Sequence, residues 1–182
     1  IYANGLHLPV LWSHLIPATL EGKALYNVQN AMFACAMAYA FKLDLDNIRH
    51  GLRTFDTSFF QVPGRTNVFD EHPFKVILDY GHNPAAIAAM SGLADRLDVK
   101  GRRLVVCAMP GDRRDEDIHE AAKVLAGHFD HYFVKPDDDR RGRGEMEVPE
   151  MLRDGLIAAG VEADRITLVA SEAEAVDLGL NT

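Results

Sequence analysis

Cysteine is nearly absent. Only Cys35 and Cys107 occur in 182 residues, so no disulfide framework holds the chain, and a reducing cytoplasm is the expected compartment. Basic charge is also short: 19 Lys and Arg stand against 27 Asp and Glu, a formal net charge of −8. A general nucleic-acid binder needs a basic stripe to neutralise phosphates, and this balance argues against that class. Long hydrophobic runs are missing too. The longest, near Ala31–Phe41, reaches about half the ~20 residues of a membrane span, so no membrane partner is expected. The first residues carry neither a basic n-region nor the apolar core of a signal peptide. No internal repeat or low-complexity tract occurs, and there is no initiator Met, which predicts a piece of a longer chain. What is present is ordinary for a folded soluble domain, with 48% hydrophobic and 25% charged residues.

The charge is unevenly spread. Residues 1–65 carry five basic and four acidic side chains, whereas residues 66–182 carry 14 and 23. This shift, with the breakers Pro63-Gly64 before Arg65, predicts a boundary there and two parts, 1–64 and 65–182. In the first part, an extended start near Leu8–Leu11 precedes an Ala/Met/Phe-rich helix over Leu25–Leu43, expected to be buried on most faces, and a second helix over Leu45–Thr54. In the second part, strands are expected at Thr66–Phe69, Phe74–Leu78, Leu104–Ala108, His131–Val134 and Ile166–Val169. Helices are expected at Pro84–Leu97, Asp115–Gly127, Pro149–Ala159 and Ser171–Leu178. Such alternation predicts an α/β fold with a mostly parallel sheet and helices on both faces. Ligands of such sheets sit beyond the carboxyl ends of the strands. Here those ends are the polar loops 79–83, 110–114 and 136–143.

Gly22-Lys23 is not a phosphate loop. The pattern Gly-x-x-x-x-Gly-Lys-Ser/Thr needs a Gly where Pro17 stands and a hydroxyl where Ala24 stands, so the dipeptide reads as a turn before a helix. Asn27 and Asn30, at i and i+3, share one face of an apolar helix. They serve either a polar network or the edge of a heterocycle such as adenine. Asp79 ends a strand and precedes Tyr80-Gly81-His82-Asn83-Pro84, where Pro84 suits a first helical position and Asn83 a cap. Asp79 suits ribose hydroxyls or local capping equally. His82 lies where it could titrate or meet a ligand, or serve structure alone. Arg65 suits phosphate oxygens or a solvated linker. The eight His show no metal spacing, so no protein metal site is expected. The mixed-sign runs Asp112–Asp117 and Asp137–Arg143 read as self-paired surface loops, or as an amino-acid site in which carboxylates meet a cation and arginines grip a carboxylate.

Three segments together resemble the Mur ligase family: Gly22-Lys23-Ala24-Leu25-Tyr26-Asn27-Val28-Gln29-Asn30-Ala31, Pro63-Gly64-Arg65 and Asp79-Tyr80-Gly81-His82-Asn83-Pro84. Order and spacing agree, although Gly81 stands where the family commonly has Ala. Within the family, Ile16–Leu20, 111–118 and 141–143 look most like the branch that adds arginine to the aspartate β-carboxyl of a growing poly-aspartate chain.

The resemblance implies a Rossmann-like C-terminal domain over 65–182, lacking its last strand, preceded over 1–64 by a helical remnant of a central ATP-binding domain. It implies an ATP-dependent amide-forming ligase working through an acyl phosphate, with Mg2+ ligands and phosphate loop in a missing upstream region. Asn27 and Asn30 would lie near adenine, Asp79 near ribose and Arg65 near the phosphates, with His82 and Asn83 shaping the crevice. The 137–143 loop, with Asp138, Asp139, Arg141 and Arg143, would select the amino acid. The remaining implied partners are arginine, the poly-aspartate chain and the rest of the parent ligase. Alone the fragment is expected to be inactive. Its first helix, deprived of a native sheet, is expected to pair in a homo-oligomer or pack onto the C-terminal domain. The alternatives are a peptidoglycan-precursor or folylpolyglutamate-type ligase, or a non-catalytic binding domain of flavodoxin-like shape.

Overall fold

A computed structural model describes Ile1–Ala3 and Gly5–Thr182. The chain divides into two compact units, Ile1–Tyr80 and Gly81–Thr182.

The first unit opens with a two-residue antiparallel ladder, β1 (Tyr2–Ala3) against β2 (Leu6–His7). The expected extended stretch at Leu8–Leu11 lies just beyond it, outside any strand. Two 3-10 turns, Ser13–Leu15 and Pro17–Thr19, lead to α1 (Leu25–Ala40) and α2 (Leu45–Thr54). Thr19 is fully buried. Its hydroxyl reaches the Ser13 and Ile16 carbonyls at 2.7 and 2.8 Å and accepts from Gly22 N–H at 3.0 Å. That closes the Gly22-Lys23 turn as a helix entry.

α1 departs from expectation. Only Cys35 among its residues is buried, while Met32, Phe33 and Met37 are 67, 68 and 59% exposed. Its apolar residues lie all round the helix, and α2 and the Pro17–Thr19 turn cover a single stripe.

The unit ends in an antiparallel pair, β3 (Asn67–Phe69) with β4 (Val76–Leu78), in register Asn67 to Leu78 and Phe69 to Val76. Sequence alternation placed these strands in one mostly parallel sheet. The six residues between them are too few for a crossover, which takes a dozen or more, so the pair turns back as a hairpin.

The second unit begins with α3 (Pro84–Arg96) and builds a three-stranded parallel sheet of β5 (Leu104–Cys107), β6 (His131–Val134) and β7 (Ile166–Leu168) in that order. The crossovers are α4 (Asp115–Leu125) and α5 (Glu147–Ala158), and α6 (Glu172–Asn181) follows β7. Strand periodicity assigns the faces. Tyr132 and Val134 of β6 join Ile118, Ala121, Ala122, Leu152 and Leu156 in the larger core, whereas Phe133 joins Val169 and Ala175 in the smaller one. Helices thus cover both faces of the sheet. α5 starts two residues earlier than expected because Pro149, within the first turn, needs no hydrogen-bonded N–H there.

Candidate functional site

In the first unit the polar residues gather around the Pro63-Gly64-Arg65 turn. Gly64 has φ +73°, a conformation that costs a glycine little. Its N–H donates to Asn67 Oδ1 at 2.7 Å, and Asn67 Nδ2 donates to the carbonyls of Thr57 and Val62 at 2.8 and 2.9 Å. Asn67 is 1% exposed, so a single buried amide ties the turn to β3. Tyr80 N–H closes the other side on Gly64 O at 2.8 Å.

Thr66 follows at φ +51°, a left-handed conformation that is an outlier for a β-branched residue and costs on the order of 1–3 kcal/mol. What holds it there is Asp79. Asp79 Oδ2 accepts from Thr66 N–H at 2.9 Å and from Thr66 Oγ1 at 3.1 Å. Thr66 Oγ1 also lies 2.8 Å from the hydroxyl of Tyr26, in the first turn of α1. Burial pushes the Tyr26 phenol up to about 12; the Thr66 hydrogen bond opposes that rise and the Asp79 charge adds to it.

Arg65 is exposed and pairs with no carboxylate among the described residues; its guanidinium carbon stands 5.8 Å from the centroid of the Tyr80 ring. Asn27 Nδ2 donates to Ala18 O at 2.7 Å, and Asn30 Nδ2 donates to Asn27 Oδ1 at 3.2 Å. The two amides therefore form a short polar chain onto the preceding turn. Asn30 is exposed, and its Oδ1 has no hydrogen-bond partner among the described residues. Neither amide bonds to Asp79. His82 and Asn83 open the second unit. Asn83 is the cap of α3, its Oδ1 accepting from Ala86 N–H at 3.0 Å, and His82 is half-buried.

The second unit brings the loops after β5 and β6 together at the carboxyl edge of the sheet. Arg143 joins them. Its Nε donates to Gly111 O at 2.7 Å, Nη2 to Arg113 O at 2.8 Å and to Asp115 Oδ1 at 2.7 Å, and Nη1 to Glu147 Oε1 at 2.9 Å. Gly111 is required by the closeness of the loops, since a Cβ there would overlap the Arg140 carbonyl. Beside it Arg141 pairs with Asp112, and Arg140 pairs with Glu145 at 2.9 Å. The loops enclose a cavity of about 10 Å3 lined by Met109, Pro136 and Val148 among others, room for about one water. The Arg141 hydrogen bond holds the Asp112 carboxyl below its usual range, and the Gly144 N–H and Arg143 do the same for Glu147. Asp138 and Asp139 are exposed, with Asp139 Oδ1 turned to Arg141 N–H at 3.2 Å.

The sequence reading singles out none of Tyr26, Thr66 and Asn67 as site residues; it places Asp115 in a mixed-sign run and counts Glu147 among carboxylates suited to an arginine ligand, but not the clamp they form with Gly111 around Arg143. Polar Thr66 and Asn67 at the head of an apolar strand are the available signal for two of these. Nothing in the spacing of Tyr26 marks it. Among the described residues no cluster of three or more His, Cys, Asp or Glu side chains is arranged to hold a metal ion, and no helix is long and apolar enough to cross a membrane.

A parallel α/β unit with polar loops at its carboxyl edge, preceded by an Asp-centred turn, describes a class of domain. The sequence comparison names the family: residues 64–181 match the Mur ligase, glutamate ligase domain, and the chain belongs to this family. Cyanophycin synthetase of Crocosphaera subtropica is 39% identical over 166 residues, covering 91% of this chain and 19% of that protein. Cyanophycin synthetase of a Nostoc species is 36% identical, covering 100% of this chain and 21% of its own length. The chain thus spans about a fifth of the length of these curated relatives. The UDP-N-acetylmuramoyl-L-alanyl-D-glutamate–2,6-diaminopimelate ligase of Corynebacterium efficiens is 30% identical over 88% of this chain and 30% of its own. Among solved structures, Mycobacterium tuberculosis folylpolyglutamate synthase complexed with ADP and AMPPCP aligns with TM-score 0.58 and 27% identity, over 76% of this chain and 28% of that one. Escherichia coli FolC in complex with ADP aligns over 98% of this chain and 36% of its own with TM-score 0.65 and 24% identity, a likeness of fold.

Proposed function

We propose that the chain is the C-terminal part of an ATP-dependent amide-forming ligase of the cyanophycin synthetase type, which adds arginine to an aspartate β-carboxyl through an acyl phosphate. The similarity to cyanophycin synthetases, 39% identity over nearly the whole chain against 30% for the diaminopimelate ligase, carries this reading. Residues 1–64 then belong to a central ATP-binding domain and residues 65–182 to the C-terminal domain. Asn27 and Asn30 lie near adenine, Asp79 accepts from ribose, and the exposed guanidinium of Arg65 meets phosphate oxygens; His82 and Asn83 also serve nucleotide binding. An Asp79 Oδ1 with no donor among the described residues, and an exposed Arg65 that pairs there with no carboxylate, fit such a ligand chemically.

The loop after β6 selects the amine. Arg143 spends its donors on five protein acceptors, so it holds the loop, while Asp138, Asp139 and Arg141 meet the incoming arginine and the cyanophycin chain. Mg2+ and the γ-phosphate are held by residues outside these 182, and the isolated chain is inactive. The working protein is a cytoplasmic homo-oligomer. The test is ATP-dependent incorporation of radiolabelled amino acids into a β-Asp-Arg primer by the longer protein proposed to carry this chain. Arginine is the expected substrate. Turnover with diaminopimelate or glutamate instead would refute the specificity and keep the family.

A further inference from the structure

The Tyr26–Thr66–Asp79 chain has a fixed direction. An ionised carboxylate only accepts, so the single hydroxyl proton of Thr66 goes to Asp79 Oδ2, and Thr66 Oγ1 in turn accepts from Tyr26 O–H. Asp79 Oδ2 thus receives two donors from Thr66, backbone and side chain. Asp79 Oδ1 receives none among the described residues, and no cation pairs with the group. Loss of the carboxylate would leave the Thr66 N–H and hydroxyl without their acceptor. The carboxylate keeps Thr66 in a left-handed conformation, 2% exposed, with a half-buried phenol behind it. Strain at a buried polar group persists where neighbours over-determine it, and such sites cluster at ligand contacts.

We propose that Tyr26 and Thr66 are positioning residues that hold Asp79 by Oδ2, so that Oδ1 is presented to a ribose hydroxyl of a bound adenine nucleotide. This role rests on Asp79 meeting ribose, as proposed above. Tyr26 acts through Thr66 and touches no ligand. It couples the entry of α1, where Asn27 follows, to the carboxylate at the end of β4.

The test compares ADP with 2′,3′-dideoxy-ADP by NMR titration of this 182-residue chain, a method suited to millimolar affinities. Wild type is expected to prefer ADP by about tenfold or more, the value of a hydrogen bond to a charged group. Asp79→Ala brings the ratio to about one. Tyr26→Phe and Thr66→Ala lower it to about threefold or less, while Thr66→Ser, which keeps the hydroxyl, preserves it. In the ligand-free chain, Tyr26→Phe also shifts the Asp79 side-chain carboxyl carbon resonance, which keeps the coupling measurable if an alanine variant folds poorly. If Asp79→Ala loses discrimination but Tyr26→Phe and Thr66→Ala retain it in full, the positioning role is overturned and the ribose contact stands. If wild type does not discriminate, both are overturned.

Discussion

Asn67 shows how much one buried amide can carry. Its Oδ1 and Nδ2 serve three backbone groups at 2.7–2.9 Å in a site 1% exposed, and truncation takes from Gly64 N–H and Thr57 O the partner they have here, while Val62 O keeps Arg65 N–H at 3.3 Å. Asn67→Ala should therefore cost about 2–3 kcal/mol, read as a lower urea midpoint of the first unit, because each unmet buried group carries a desolvation penalty. Asn83→Ala should cost about 1 kcal/mol, the ordinary worth of a helix cap, read as a lower urea midpoint of the second unit. Asp112 and Glu147 set a pH dependence. Their folded values lie below the ordinary 3.8 and 4.5, so the stability they contribute is present above about pH 4.5 and lost as pH falls through the lowered values. Both are exposed, so the change is small, and high salt should reduce it. Denaturant melts between pH 6 and 3 at two salt concentrations check the sign. Asn83 as a cap is legible from sequence because Asn followed by Pro at a helix start is a local signal. Asn67 is not, because its partners, Thr57, Val62 and Gly64, are set by how the 57–67 turn folds back.

At the scale of elements, the β5 and β6 loops depend on one guanidinium. Arg143→Ala removes the donors that join Gly111, Arg113, Asp115 and Glu147. Amide exchange at 110–114 and 143–147 should quicken while β5–β7 remain protected; unchanged exchange would show that the clamp is dispensable. α1 makes a second prediction. Met32, Phe33 and Met37 leave an apolar face in water, which favours association. Replacing all three by Gln should lower the sedimentation-derived association of this chain and leave far-ultraviolet helicity nearly unchanged. The range of α1 is close to legible from sequence, ending at Ala40 instead of Leu43. Its burial is not, because Ala, Met and Phe on every side predict a covered helix, and the cover depends on what packs against it. The β3–β4 hairpin differs from expectation for a simpler reason: strand and helix periodicity gives elements, while the length of the connection decides direction.

At the scale of the whole molecule, alternating strands and helices announce the parallel α/β unit, and three short motifs announce the family before any coordinates. What sequence leaves hidden is the second rank of residues, Tyr26 and Thr66 behind Asp79, and Gly111 with Glu147 around Arg143, since each acts through hydrogen bonds between distant segments. The account turns on Asp79 and Arg65 serving one nucleotide. Its most direct test is the Michaelis constant for ATP in arginine incorporation by the longer protein, with Asp79→Ala and Arg65→Ala beside wild type. Each variant should raise that constant about tenfold or more, as for a lost hydrogen bond to a charged group, while the constant for arginine stays near wild type. Unchanged ATP dependence in both variants would contradict the account.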